Sequence, residues 1–272
     1  MSDGIKQLLA TGRGELERQS LEARVWEPDA ERMLDRIEVR PGARSVDLGC
    51  GGMGILASLS RRVGPTGRVL GLDADSSLLA AARSYADREG LENVELLQAD
   101  AYDTGLPRES FDLVHTRFLF GLGGREEDLV REMTALVRPG GVVAAEEPDA
   151  AAWTCHPEIP AFLTLRGAIL EAFARGGGDF SVGRRLFGLI QAAGLENALI
   201  RPAVLAFQNG HPYMRLPILL ADALRDAILE GEILSAGALR RAVAEYEAFL
   251  RRPGSYMVTF TLMQAWGRKA AR

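Results

Sequence analysis

The sequence predicts a mixed α/β fold, a largely parallel sheet with helices on both faces, and three observations carry that expectation. Short apolar runs at 45–48, 68–73, 93–98, 111–115 and 142–146 alternate with helical patterning at 55–63, 76–89 and 126–137. That is the spacing of βαβ units, whose crossover helices cover both faces of a sheet. The first run leads into Gly49-Cys50-Gly51-Gly52-Met53-Gly54. This is a strand, a tight turn and the start of a helix, with glycines where backbone turns sharply and lies against a ligand with no Cβ in the way. The second run ends on Asp73, and the third runs into Ala99-Asp100-Ala101. Ligands of such sheets bind at the carboxyl ends of the strands.

Taken in order, residues 5–37 carry helical patterning rich in charge and predict two helices separated near Pro28. They read either as a cover on the sheet or as a flap over its ligand. Pro41-Gly42 turns the chain into the first strand. Gly64-Pro65 ends the helix 55–63, and Gly90 stops the helix 76–89. Arg138-Pro139-Gly140-Gly141 reads as a hairpin-like turn before the fifth strand. Beyond it, 157–174 is helical, Gly176-Gly177-Gly178 is a flexible link, and Ser181 caps a helix through Ala193 that ends at Gly194. Residues 198–207 form a sixth strand and 256–266 a seventh. Between them, amphipathic helices are expected at 216–229 and 238–250.

Composition narrows the function. The chain has 272 residues and a net charge of −5, which argues against nucleic acid, because phosphate-binding surfaces need clustered Lys and Arg. Of the two cysteines, Cys50 sits inside the glycine turn, so no structural disulfide is expected and a reducing, cytoplasmic setting fits. The N-terminus lacks the apolar core of a signal peptide, and no apolar run is long enough to span a bilayer. No His/Cys/Asp cluster has metal-ligand spacing, so no metal is expected.

A lone G-x-G-x-x-G is a weak signal. Here it comes with Val46-Asp47-Leu48-Gly49-Cys50-Gly51, Gly71-Leu72-Asp73, Gln98-Ala99-Asp100-Ala101, Phe111-Asp112-Leu113-Val114 and Val137-Arg138-Pro139-Gly140-Gly141, in register over about residues 40–147. In that set the chain resembles the class I S-adenosylmethionine (SAM)-dependent methyltransferases, of the bacterial type acting on small molecules such as quinones and secondary metabolites. The resemblance implies a Rossmann-like, seven-stranded sheet whose last two strands form an antiparallel hairpin, with SAM as cofactor and S-adenosylhomocysteine as product. It also implies a single domain over 1–272, with a helical cover at 1–40, a SAM-binding core at 41–150 and a helical insertion at 212–252. An NAD-dependent dehydrogenase would share the glycines and Asp73. Against it stand Asp47 just before Gly49, the Ala99-Asp100-Ala101 triplet and the Pro139-Gly140-Gly141 turn.

The same resemblance gives residues their roles. Asp73 would accept both ribose hydroxyls, with Ala74 beside it. Asp100 would meet the adenine amine and the Ala101 N–H a ring nitrogen. Gly49 and Gly51 would let the methionine portion lie on backbone, and Asp47 would lie near its amino group or brace the turn. His115, at the end of the fourth strand, would be a general base or line the methionine site. Arg117 would orient a substrate anion or pair with Glu147. Glu146 and Glu147 would hold an amine or hydroxyl, or satisfy backbone donors. The implied reaction is methyl transfer to an O, N or C atom of a small, partly apolar molecule; a SAM-binding sensor or partner module without transfer is the alternative. The insertion is expected to be a lid over the substrate, or else a homodimer arm.

Overall fold

The computed structural model describes residues 13–271. The described chain opens on α1 (Arg13–Ile37), a helix of 25 residues. The expected division at Pro28 is absent; the part of that expectation falling on 5–12 lies outside the described residues. Proline removes one N–H, the one that would reach the Arg24 carbonyl. Pro28 is exposed while Trp26, Asp29, Ala30 and Met33 are buried, so tertiary packing carries the helix across the gap.

The main sheet contains β1 (Arg44–Leu48), β2 (Arg68–Asp73), β3 (Val94–Gln98), β4 (Phe111–Arg117), β5 (Val137–Asp149), β7 (Glu196–Ala203) and β10 (Thr261–Arg268). Its order is β3-β2-β1-β4-β5-β10-β7. The first five strands are parallel, and β10 runs antiparallel between β5 and β7. This is the seven-stranded sheet expected, with the last two strands as its antiparallel edge. Helix α1, α2 (Leu56–Val63) and α3 (Ser76–Glu89) bury Met33, Leu34, Leu56, Leu59 and Ala82 on one face. Helices α4 (Glu126–Leu136) and α6 (Leu186–Ala192) bury Leu129, Met133, Leu186 and Ile190 on the other.

Several boundaries differ from expectation. The Arg138–Gly141 stretch is a bulge within β5, not a hairpin-like turn: Phe111 pairs with Val137 and Leu113 with Val142, so 138–141 loop out, with Gly140 at φ +76°. Ser181 does not cap a helix with its side chain. Its hydroxyl accepts from the Ala150 N–H at 3.2 Å, and a 3₁₀ turn at 182–185 precedes α6. The strands expected at 198–207 and 256–266 each break in two. Thr259 and Leu205 exchange hydrogen bonds at the break, and Phe260 turns inward to 1% exposure.

The displaced ends, β8 (Ala206–Gln208) and β9 (Tyr256–Val258), pair with β6 (Thr154–His156) as a second sheet, β6-β9-β8. Around it stand α5 (Pro160–Arg175), α7 (Leu216–Ala223), α8 (Arg225–Glu230) and α9 (Ala236–Leu250). Leu224 separates α7 from α8, which divides the helix expected at 216–229. These elements share a core of their own with Trp26 of α1: Trp153, Phe162, Leu216, Ile228, Tyr246 and Met257 are all buried in it. The Trp26 indole N–H donates to the Tyr213 hydroxyl at 2.9 Å and ties α1 to this cap. Among the described residues, no helix is long and apolar enough to cross a membrane.

Candidate functional site

The carboxyl ends of β1, β2 and β4 meet at a cleft enclosing about 180 Å³. The glycine turn forms its floor. Gly49, Gly51 and Gly54 all have positive φ, the left-handed region where glycine alone is unstrained. A Cβ on Gly54 would lie 2.3 Å from Asp47 Oδ2. That contact explains the third glycine: the Asp47 carboxylate reaches under the turn, where it accepts from the Ile55 N–H at 3.2 Å and faces the N-terminus of α2. Arg117 braces the same turn, with Nη2 donating to the Gly54 carbonyl at 3.1 Å.

Beneath the floor lies a buried polar chain fixed by strand register. Asp47 pairs with His115 across β1 and β4, and Glu146 pairs with Gln264 across β5 and β10. His115 is fully buried, with Nδ1 2.7 Å from Asp47 Oδ1 and Nε2 3.1 Å from Glu146 Oε1. Ionised carboxylates only accept, so both ring nitrogens carry protons and the ring is an imidazolium. Burial alone would lower its pKa, but the Asp47 charge and hydrogen bond, with Glu146 behind, raise it to about 9. Burial likewise pushes Glu146 up, and its hydrogen bond from His115 and the Arg117 charge bring it below the usual carboxylate range. The chain continues as Gln264 Nε2 donates to Glu146 Oε2 at 2.7 Å and to the Asp29 carbonyl at 3.0 Å. Arg201 then joins Gln264 to the Asp29 carboxylate. Thus His115 has no lone pair for a substrate proton, which corrects the general-base expectation; it is a buried cation beneath the cofactor turn.

The cleft brings together Asp47, Gly49, Gly51, Asp73, Ala74, Ala101 and Arg117 of the expected residues. Asp73 accepts from the Gly51 N–H and the Asp75 N–H, both at 2.9 Å. Asp100 is exposed and outside the lining, and its Oδ1 accepts from the Tyr102 N–H at 3.0 Å. Arg117 is 9% exposed, with Nη1 lacking a hydrogen-bond partner. Its nearest carboxylate is Glu146, at 4.0 Å, not the Glu147 proposed from sequence. Cys50 is inert here: burial, with Asp47 and Asp73 nearby, pushes its thiol well up.

Sequence reasoning offered 5–37 as a flap over the ligand but named none of its residues at the cleft. Glu15, Arg18, Gln19 and Glu22 of α1 line the cleft opposite the glycines. Arg18 is held between Glu15 and Glu22, and Gln19 Oε1 accepts from the Gly52 N–H at 2.9 Å. The available signal was their spacing, since positions 15, 18, 19 and 22 fall on one face of a helix.

A second, smaller cavity shares Arg18, Glu22, Phe118 and Leu122 with the cleft and encloses about 50 Å³. Phe173, Phe180, Phe260 and Leu220 complete its apolar wall, and Glu147 lies in it. The Glu147 side chain is 1% exposed; Oε1 accepts from the Leu119 N–H at 2.6 Å and the Phe120 N–H at 2.8 Å, and Oε2 has no partner. Burial pushes its pKa up to about 8, offset only in part by the N–H groups of Phe120, Leu119 and Gly121.

A methyltransferase-domain family matches residues 46–141, the stretch that builds the cleft floor. The nocamycin O-methyltransferase of Saccharothrix syringae is 29% identical over 207 residues, 74% of this chain and 64% of that protein. A demethylmenaquinone methyltransferase of Bacillus cytotoxicus is 33% identical over 126 residues, 46% of this chain and 51% of that protein. The aligned stretches thus cover less than two thirds of either relative. The crystal structure of the YcgJ protein from Bacillus subtilis superposes with a TM-score of 0.58 at 20% identity, covering 88% of this chain and 97% of that one, and shares the fold.

Proposed function

We propose that the chain is a class I SAM-dependent methyltransferase, a reading supported by the methyltransferase-domain match and the shared fold, and that it transfers a methyl group to a small, partly apolar molecule seated beside the cleft. The observation that carries this reading is the pairing of two cavities across one wall: a polar cleft on the glycine turn, and an aromatic cavity sharing Phe118 and Leu122 with it. A cofactor-binding module without transfer would have no use for the second.

The cleft suits SAM chemically. The Asp73 carboxylate is an acceptor for ribose hydroxyls at the end of β2. Leu78, Ala101, Leu119 and Leu122 offer a slot of adenine character. The unpartnered Nη1 of Arg117 is a buried donor that an amino-acid carboxylate would satisfy. The cofactor supplies an electrophilic methyl group on a sulfonium centre. The His115 cation holds Asp47, and through it the turn, in one geometry. Helix α1 and the cap exclude water, and α7 reaches the acceptor side through Leu220. In this reading the 212–252 insertion is a wall of the acceptor cavity rather than a detachable lid.

The test is incubation with methyl-labelled SAM and a panel of phenols, enols and amines, following S-adenosylhomocysteine by mass spectrometry. Acceptor-dependent product is expected. Cofactor binding with no transfer across chemically varied acceptors would favour the binding module.

A further inference from the structure

We propose that Glu147 anchors the acceptor, donating a hydrogen bond from Oε2 to an oxygen borne on a single aromatic or quinonoid ring held among Phe118, Phe173, Phe180 and Phe260. The inference rests on the methyltransferase reading and names the substrate class of that same site.

Geometry carries it. Glu147 sits on β5, and its Oε1 is fixed by two backbone N–H groups of the 119–120 turn. Those two N–H groups occupy Oε1, so in the neutral carboxyl group the proton sits on Oε2. That oxygen is buried and unpartnered, on a residue that lines the cavity. A buried polar atom without a partner costs about 1–3 kcal/mol, and a ligand oxygen would recover it. The raised pKa agrees with a neutral group. The other charged groups facing the cavity are Arg18 and Glu22 of α1 and Asp179 after α5, with Glu146 and Arg117 behind β5.

The rest of the wall selects a ring. Phe180 meets Phe173 at 5.2 Å and 87°, and Phe260 at 5.5 Å and 82°; Phe260 meets Phe118 at 5.9 Å and 88°. These edge-to-face contacts leave ring faces and edges to stack on a planar guest. Free space of about 50 Å³, against roughly 150 Å³ for a cavity that holds benzene, leaves no room for a fused system and admits a ring only where it extends into the adjoining cleft. A hydrogen-bonding group set among aromatic rings discriminates strongly between a guest bearing the matching oxygen and one lacking it.

The experiment compares phenol with its near-isostere toluene by ligand-observed NMR titration, in the presence of saturating S-adenosylhomocysteine. For the wild type, phenol is expected to bind at least about tenfold more tightly than toluene. Glu147→Gln presents an amide N–H at the same place and should keep the preference within about threefold. Glu147→Leu should remove it, with toluene affinity unchanged. S-adenosylhomocysteine affinity, measured separately by calorimetry, should be the same in all three proteins and reports that the cleft is folded. Equal binding of phenol and toluene by the wild type, or a preference that survives in Glu147→Leu, overturns the anchor. Failure of the wild type to bind S-adenosylhomocysteine would instead overturn the methyltransferase reading, so the two failures are separable.

Discussion

His115 is the residue whose meaning changed most between sequence and structure. At the end of a strand near a cofactor turn, a lone histidine suggests a base. The register Asp47↔His115 puts a carboxylate on one ring nitrogen and Glu146 lies on the other, and the base becomes a cation. His115→Ala leaves two buried carboxylates short of a partner. Denaturant unfolding should show a loss of about 3–5 kcal/mol, with cofactor affinity falling alongside it, whereas loss of a base would have left affinity intact. The pH dependence has a fixed sign. With a folded pKa of about 9 against 6.5, the stabilisation is complete below about pH 6.5 and disappears as pH rises through 9. Glu147 acts over a different window. Its folded pKa of about 8 against 4.5 means that the native state holds the extra proton, so wild-type stability falls between pH 4.5 and 8. Melting temperatures from pH 5 to 9.5 should show Glu147→Gln gaining on the wild type up to pH 8 and running parallel above it. A gap that stays constant over that range would contradict the buried proton on Glu147.

At the scale of elements, α1 takes the flap position that sequence offered as one of two readings, and the insertion packs into the chain. The insertion, expected as a lid or a dimer arm, carries a partly buried Leu219 and the apolar residues Leu216, Ile218, Leu224, Ile228, Leu239 and Phe249. They pack inside the chain against α5 and the β6-β9-β8 sheet. Replacing 213–252 by a Gly/Ser linker should therefore expose Phe162, Leu165 and Ile169 of α5 and leave a protein that binds hydrophobic dye and loses cooperative melting. Retention of a sharp transition would mean that the cap folds without the insertion. The element over the cleft is α1, joined to the floor through Asp29, Gln264 and Glu146 and to the turn through Gln19. Gln19 occupies the Gly52 N–H of that turn. Hydrogen exchange in α1 should respond to S-adenosylhomocysteine more than exchange in α4 on the far face; equal response in both would detach α1 from the site.

Over the whole molecule, what the sequence made legible was local. The run from Ser45 to Gly54 and Asp73 and Ala101 were readable because turn geometry and strand ends restrict residue type over a few positions. The parallel sheet followed from βαβ spacing. Features assembled from distant segments were not readable: the roof residues Arg18 and Gln19, the polar chain from Asp47 to Asp29, and an aromatic cavity drawn from positions 118, 173, 180 and 260. Three-residue strands such as β6 and β8 carry too little alternation to register, and the second sheet they form was unforeseen. Asp100 shows the converse, a motif residue whose side chain the fold leaves on the rim, bonded to its own turn. The central claim is that the cleft on the glycine turn is a SAM site with Asp73 as its ribose acceptor, and calorimetric titration of S-adenosylhomocysteine into the wild type and Asp73→Ala tests it most directly. One-to-one binding is expected for the wild type, weakened in Asp73→Ala by about 1.5–3 kcal/mol, the scale of a hydrogen bond to a charged group. No binding by the wild type, or equal affinity in the two proteins, would contradict it.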